Sequence, residues 1–513
     1  MQKIVIVGAG HNGLVAATLL ARAGKEVLVL EAAPVVGGAV RTEYPFPNAP
    51  KLGASTGAYL LGLMPPELIA TLGIEVPLIR RDPHYFLPTT EGRYLLFGSD
   101  TESMKRQFLQ FFSAADWEAH QALQRELDQL REDIAPTWLA SPLSIEETAA
   151  RHVRPALQKV FIDLCRGSVG DYLDRFGFES DLLMAMYAVT DGFSGLSGGW
   201  DSPGTGMNFL VHNRCRLPHS DGTWMIVEGG MGTVTARLAQ AAQRAGATIE
   251  TDAAVRALDF DGDQVVAART DDERYCCDGV LFNADPFRMA QLIGHDRLGA
   301  NYAQRLNEMR TDGMTMKVNL ALSDLPTFTC LPESRGQHAS TIHLLPPEAD
   351  VRQGLRRAFD DACQGRLPEF PAIEWYFHTP ADPTLGDEEG HHNSALFVQW
   401  VPNEIDGSTW EESRSDYVHH LLSICDRFAP DTSSLVVDTF ALAPPDIEAH
   451  FGITGGHIHH IDNSFGFADR LPYETPLPNI YSCSAGCHPA GSVIGAAGHN
   501  AAMHLIHSES DRN

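Results

Sequence analysis

Apolar and polar positions change their period several times along this chain, and each change predicts an element. A β-branched run from Ile4 to Val7 meets Gly8, Gly10 and Gly13; a helix-forming run follows, and a second apolar run, Val27 to Leu30, ends on Glu31. That order predicts strand, tight turn, helix and strand. From Thr101 to about Gly195 the period is helical. The run from Phe108 to Ile134 is amphipathic, and Ser144 with Glu147 three residues on opens like a capped helix. Asp201 to Gly206 is rich in turn formers, and Thr223 to Gly262 reads as strand, glycine turn, helix, strand and hairpin. Val280 to Pro286 is a strand running into a loop. Thr315–Leu322, Ala372–His378 and Ser394–Val401 alternate like strands of a second sheet, and Tyr417–Phe428 is an amphipathic helix. Leu477 to Ile506 closes the chain as strand, glycine-rich turn and helix.

Nucleotide-type elements therefore stand at the start, in the middle and at the end, with everything else between them. A tandem arrangement would leave the last strand and helix without a partner. The order predicts a discontinuous nucleotide domain over residues 1–75, 222–300 and 440–513, and a substrate domain over 76–221 and 301–439, in which 101–195 is a mainly helical cap.

The first turn carries the clearest chemistry. Gly8 permits the turn out of the strand, Gly10 lets a pyrophosphate approach the backbone, and Gly13 lets the helix pack close to the sheet. The helix N-terminus offers free N–H groups and a positive dipole end to phosphates. Glu31, at the end of the second strand, is placed to accept hydrogen bonds from an adenosine ribose. Strand, glycines, helix, strand and acid in register indicate a bound dinucleotide.

Composition narrows the class. At 513 residues the chain exceeds one hydrophobic core, and its net charge of −28 argues against nucleic acid and against electrostatic adsorption to anionic lipid. A small apolar docking patch is the remaining route to weak peripheral membrane contact. Nine cysteines without a regular framework indicate a reducing compartment. The N-terminal apolar run is broken by the glycine turn, unlike a signal peptide, and no apolar run reaches the roughly 18 residues of a membrane span. A cytoplasmic location is expected, and the oligomeric state is left open.

VGAGHNGLVAA at 7–17, the glycine pair at 37–38, VEGGMGTVTARL at 227–238, MKVNLALSDLPTF at 316–328, GGHIHHIDNS at 455–464 and AGCHPAGSVIGAAGHNAA at 485–502 together resemble the FAD-dependent amine oxidase and phytoene desaturase superfamily. The likeness covers nearly the whole chain. It is nearest to the branch with β-carotene ketolases and the pyridine nucleotide-disulfide oxidoreductase domain-containing protein 2 group. It implies an α/β fold: a discontinuous Rossmann-type FAD-binding domain (GR2-like) with an inserted α+β substrate domain carrying a mixed sheet and the helical cap. It implies FAD as cofactor, with Gly8, Gly10, His11, Asn12 and Gly13 at the pyrophosphate, and Glu31 and Ala32 at the adenosine ribose. Gly37 and Gly38 would pass close to the phosphates and ribityl chain, and Val255 would lie on the strand that meets the adenine, with Asn283 and Ala284 near the same end. Gly486, and Val493 and Ile494 at the start of the last helix, would bring backbone N–H groups to the ribityl and flavin. Many relatives have Arg directly after the glycine pair. Here Ala39 stands there, and Arg41 is the nearest candidate for the phosphates.

Three side chains are candidates for catalysis. Lys317 matches a strand lysine that in amine oxidases reaches flavin N5 through water; the alternative is an edge-strand lysine snorkelling to solvent. His488, in the turn after the last strand, is either a proton acceptor beside the flavin or a packed turn histidine. His460 is either a substrate-pocket residue or part of a structural loop with His457 and His459. These histidines lack a zinc-type partner set, so no metal is expected. Cys483 and Cys487 read as plain buried thiols. EGGMG at 228–232 lacks the spacing of a second nucleotide fingerprint, so a built-in NAD(P)H site is not expected. The cap's aromatics and leucines are either core or a tunnel wall, as is 59–74.

The function this implies is FAD-dependent dehydrogenation of a largely apolar small molecule, by hydride transfer to flavin N5, with reoxidation by oxygen or a quinone-type acceptor. An oxygen-inserting ketolase or an amine oxidase is the alternative within enzymes. A non-catalytic binding protein on the same fold is the alternative outside them.

Overall fold

The computed structural model of the protein describes residues 2–510, so residues 1 and 511–513 of the expected nucleotide domain lie outside the described residues. Five parallel strands make the first sheet, in the order Ile480–Ser482, Gly279–Phe282, Lys3–Val7, Glu26–Leu30, Thr248–Glu250. Strands from both ends and the middle of the chain therefore pair in one sheet. Lys3–Val7 is central, and its Ile4, Val5 and Ile6 are fully buried, which is why the run is continuous rather than alternating. Helix His11–Arg22 is wedged between helices Gly232–Ala245 and Ala496–Ser510. The second crossing is close: a Cβ on Gly498 would fall 2.0 Å from the Asn12 carbonyl oxygen. The expected hairpin belongs to a three-stranded antiparallel sheet, Ala257–Asp261, Gln264–Arg269 and Arg274–Cys276.

The second large sheet is mixed and has seven strands: Val436–Leu442, Thr315–Leu322, His392–Gln399, Ala372–Phe377, Thr341–Leu344, Tyr85–Pro88 and Tyr94–Phe97. Thr341–Leu344 runs parallel to Tyr85–Pro88, and the other neighbours are antiparallel. Successive side chains point to opposite faces. Val318, Leu396, Ile373, Trp375, Ile342 and Phe86 form one apolar face, packed with Tyr417, Leu421 and Phe428 of helix Trp410–Phe428. The opposite face, with Lys317, Phe397, Glu374 and Tyr376, borders a cavity. This is the α/β architecture expected: a discontinuous Rossmann-type sheet joined to a substrate region with a mixed sheet.

Several expectations need correction. Strand Val436–Leu442 crosses the expected domain limit at 439/440, because all seven of its residues belong to the mixed sheet. The amphipathic run from Phe108 breaks into helices Thr101–Phe111 and Ala114–Ile134. Ser113 caps the second, its Oγ accepting from Asp116 N–H at 3.1 Å. Val255 lies in the connection between Thr248–Glu250 and Ala257–Asp261, not on a strand. The last helix begins at Ala496, so Val493 and Ile494 belong to the loop before it, where Gly495 has φ +79°.

In the cap, Phe108, Trp117, Phe161 and Phe193 are buried in one cluster with Leu87, Leu95 and Phe97 of the mixed sheet, so its apolar positions are core. Ser144 and Glu147 form the expected capping box. Among the described residues no helix is long and apolar enough to cross a membrane.

Candidate active site

A single cavity of about 690 Å³ runs from the first glycine turn to the polar face of the seven-stranded sheet, within the usual range of ligand sites. At the glycine end the backbone is pinned. Gly8 N–H donates to Leu30 O at 2.8 Å, and Gly37 N–H to Ala9 O at 2.9 Å. Glu31 accepts from Ala9 N–H at 2.7 Å and from Ala33 N–H at 2.9 Å, so one carboxylate braces the turn while bordering the cavity. A Cβ on Gly13 would come 2.5 Å from Gly8 O, so the helix starts flush against the turn. Gly37 holds φ +124°, where a side chain would be strained.

Two observations test whether a dinucleotide fits here. The first-turn N–H groups of helix His11–Arg22 have no intrahelical acceptor. His11 Nε2 and Asn12 Oδ1, on the same turn, are buried without a partner. A phosphate complements the N–H groups, and the hydroxyls of a dinucleotide's sugar parts are the donors that Asn12 Oδ1 lacks. Val7, Gly8, Gly10, His11, Asn12, Glu31, Ala32, Gly37, Gly38, Val255, Asn283 and Ala284 all line this end.

At the other end lies a dense group of buried polar side chains. Lys317 is 4% exposed, and its strand is interior to the sheet, so it does not snorkel. Its Nζ donates to Gly57 O at 3.1 Å and Ser55 O at 3.3 Å, and stands 3.9 Å from the centroid of the Tyr59 ring. Burial lowers its pKa well below the usual lysine value, with Glu374 opposing. Burial likewise pushes Glu374 up to about 7. Its Oε2 accepts from the Tyr376 hydroxyl, and the Tyr59 and Tyr376 rings are 4.3 Å apart. Arg81 donates to Trp224 O at 3.0 Å and to Thr341 Oγ1 at 2.7 Å. Thr190, Asp191 and Ser194 from the cap, and His212 from helix Thr205–His212, complete the wall. The chemistry available is proton exchange at Lys317 and Glu374, and hydrogen bonding to a ligand clamped among aromatic rings.

The sequence candidates divide. Lys317 and His460 line the cavity. His460 is buried enough to be held at about 4, hence neutral. His488 is not at the cavity: its Nε2–H donates to Thr137 O at 3.0 Å within the protein, and burial lowers its pKa to about 4. Arg41 turns away from the glycine turn, pairing with Glu43 at 3.3 Å and donating to His450 O at 3.2 Å. Gly486 N–H is taken by Ser484 Oγ at 3.2 Å, and Ile494 packs with Leu63 and Trp138; neither lines the cavity, whereas Ala485 and Val493 do. Cys483 and Cys487 are buried free thiols. The EGGMG turn is held within the protein, Thr42 Oγ1 donating to Gly229 O at 2.9 Å and accepting from Gly232 N–H at 3.1 Å, and Gly229 N–H donating to Asp382 Oδ2 at 2.8 Å.

Sequence reading missed Glu374, Arg81, Tyr376 and Asp191; Tyr59, the first residue of the 59–74 run expected as core or tunnel wall, lines the cavity. Glu374 had a signal of the kind that marked Lys317: a lone charge inside an otherwise apolar strand, AIEWYF.

The pattern of the family described as flavin containing amine oxidoreductase matches residues 13–300. The mouse (Mus musculus) pyridine nucleotide-disulfide oxidoreductase domain-containing protein 2 is 30% identical, over 98% of this chain and 92% of its own. Phytoene desaturase of Neurospora crassa is 23% identical, over 96% of this chain and 82% of its own. The solved structure of putrescine oxidase with putrescine bound has TM-score 0.59 and 17% identity, covering 100% of this chain and 99% of that one; this last likeness speaks for the fold.

Proposed function

Because the chain belongs to the flavin-containing amine oxidoreductase family and is an FAD-dependent oxidoreductase, we propose that it dehydrogenates a small polar molecule at a carbon bearing nitrogen or oxygen. The observation that carries this is the pairing of Lys317 and Glu374 across Phe397 on the cavity face of the mixed sheet. A polar group on the substrate, where a largely apolar molecule is expected from the sequence, is part of this proposal. Glu374, Arg81 and Lys317 are buried and bonded within the protein, and a polar substrate group can add to those bonds where an apolar one cannot.

The first glycine turn, Glu31 and the Gly37–Gly38 loop would hold FAD, which when bound supplies the acceptor for a hydride from the substrate. Oxygen or a quinone-type acceptor would then reoxidise it. The chain's own groups do the rest. Tyr59, Tyr376 and Phe397 orient the substrate and exclude water. Lys317, held by two carbonyls, keeps a buried amine in reach of a substrate proton. Glu374 takes or holds a proton according to pH. His460 supplies a neutral hydrogen-bonding edge. The FAD-binding part is proposed to span 1–75, 222–300 and the region after strand Val436–Leu442, with the cap contributing the far wall of the substrate site.

The test is to mix oxidised, FAD-loaded protein anaerobically with a panel of primary and secondary amines, amino alcohols, alcohols and polyenes. Bleaching of the flavin band by members of the nitrogen or oxygen series supports the reading. Bleaching by polyenes alone contradicts it.

A further inference from the structure

The row of Lys317, Phe397 and Glu374 has a fourth member. Strand Thr341–Leu344 runs antiparallel to Ala372–Phe377 with His343 directly opposite Glu374, and such pairs put their side chains on one face, about 5 Å apart at Cβ. His343 is fully buried and does not line the cavity, so a ligand there meets Glu374 and not His343. Thr190, which does line the cavity, joins the two from a π-helical turn of the cap, Ala188–Phe193; such widened turns recur at functional sites. Its Oγ1 meets His343 Nε2, and its side chain is hydrogen-bonded to Glu374. The direction of this chain follows from the other ring nitrogen. Burial and Arg81 lower His343 to about 3, so the ring is neutral and carries one proton. The Phe86 carbonyl is near the ring, but Nδ1 is buried and makes no hydrogen bond. A buried N–H without an acceptor is rarer than a lone pair without a donor, which places the proton on Nε2. Nε2–H then donates to Thr190 Oγ1 and leaves the Thr190 hydroxyl proton for Glu374.

We propose that His343 and Thr190 are positioning residues: His343 fixes the Thr190 oxygen so that the Thr190 hydroxyl donates to the Glu374 carboxylate and stabilises its anionic form. This rests on the reading of Glu374 given above. Tyr376 supplies the second donor, to Oε2. The nearby cations have other acceptors, Arg81 in Trp224 O and Thr341, Lys317 in the carbonyls of Ser55 and Gly57. Burial pushes Glu374 up, and the bond from Thr190 acts against it. Without that bond the carboxyl would stay protonated over a wider range and accept a substrate proton less readily. The charged and titratable groups facing Glu374 are Arg81, Lys317, Tyr59, Tyr85, Tyr376 and Asp191. Arg81 and Tyr85 also face His343.

The test is an infrared pH titration of the Glu374 carboxyl in FAD-loaded protein without substrate. Isotope labelling of glutamate carboxyls keeps Asp191, which titrates over the same range, out of the signal, and loss of the band in Glu374→Gln assigns it. The wild-type midpoint should lie at about 7. Thr190→Val and His343→Phe should each raise it by about one pH unit, the scale of a lost hydrogen bond to a charged group. Thr190→Ser and His343→Gln keep the donors and should return it to near the wild-type value, which a merely structural role would not do. In the Thr190→Val background His343→Phe should add nothing, because it acts through Thr190. A midpoint unmoved or lowered in Thr190→Val or in His343→Phe overturns the proposal, as does a further rise in the double variant. Should His343→Phe fail to fold, a neutron structure of the wild type decides. Deuterium on Nε2 aimed at Thr190 supports the chain, and deuterium on Nδ1 alone overturns it. Midpoints that move as expected while no amine or alcohol bleaches the flavin support the chain and contradict the oxidation reading.

Discussion

Lys317 and Glu374 both lie directly opposite Phe397, one on each neighbouring strand, so a base and an acid share one cross-strand row on the cavity face of the mixed sheet. They are separated by 57 positions of sequence, and the register of Thr315–Leu322, His392–Gln399 and Ala372–Phe377 alone brings them together.

Lys317 is tested by Lys317→Met, which keeps length and apolar volume. The rate of flavin reduction by the best substrate should fall about a hundred-fold, the scale of general acid–base catalysis, while the visible spectrum shows FAD still bound. Unchanged rates of reduction and reoxidation would remove Lys317 from the mechanism.

Glu374 carries a stability prediction. Burial raises its pKa from 4.5 to about 7, so the folded protein holds this proton more tightly than the unfolded chain. Between those values stability falls as pH rises, and above the folded pKa the full cost, roughly 3 kcal/mol, is present. Glu374→Gln abolishes it. Thermal melts should show the variant gaining on the wild type at about pH 8 and not at about pH 5. The same substitution should flatten the rise of flavin reduction through about pH 7.

Glu31 braces the glycine turn through Ala9 N–H and Ala33 N–H. Glu31→Gln cannot offer two anionic acceptors. FAD affinity should weaken roughly ten- to a hundred-fold, on the scale of losing charge-assisted hydrogen bonds, measured by titrating deflavinated protein. Affinity equal to the wild type would mean that Glu31 has no part in holding the cofactor.

His488 provides the contrast. Since it donates to Thr137 O away from the cavity, His488→Gln should leave flavin reduction within about two-fold and lower stability by about 1–2 kcal/mol, the cost of a disturbed buried hydrogen bond. A large loss of rate in a variant of normal stability would return His488 to the active site.

Local chemistry was legible in the sequence. Strand Thr315–Leu322 has the bounds its alternation predicts, and the glycine turn with Glu31 stands as strand, turn, helix and strand. Gly13 and Gly498 mark close approaches that only glycine permits. What stayed hidden depends on pairing between distant segments. Glu374 and Lys317 flank Phe397 only through register, and Asp191 lines the wall from the widened turn at 188–193. Arg41 follows the glycine pair as a phosphate ligand would, yet Glu43 lies two residues on and captures it. The last helix looked longer because the apolar pattern runs through Val493 and Ile494, whereas Gly495 holds the loop open until Ala496.

The most direct measurement is a crystal structure of the FAD-loaded protein with a slowly oxidised amine bound. The dinucleotide should lie along Gly8, Gly10, Glu31 and Gly37, and the amine between the flavin ring and the row of Lys317, Phe397 and Glu374. A flavin ring turned away from that row, or an amine bound outside the cavity, would contradict it.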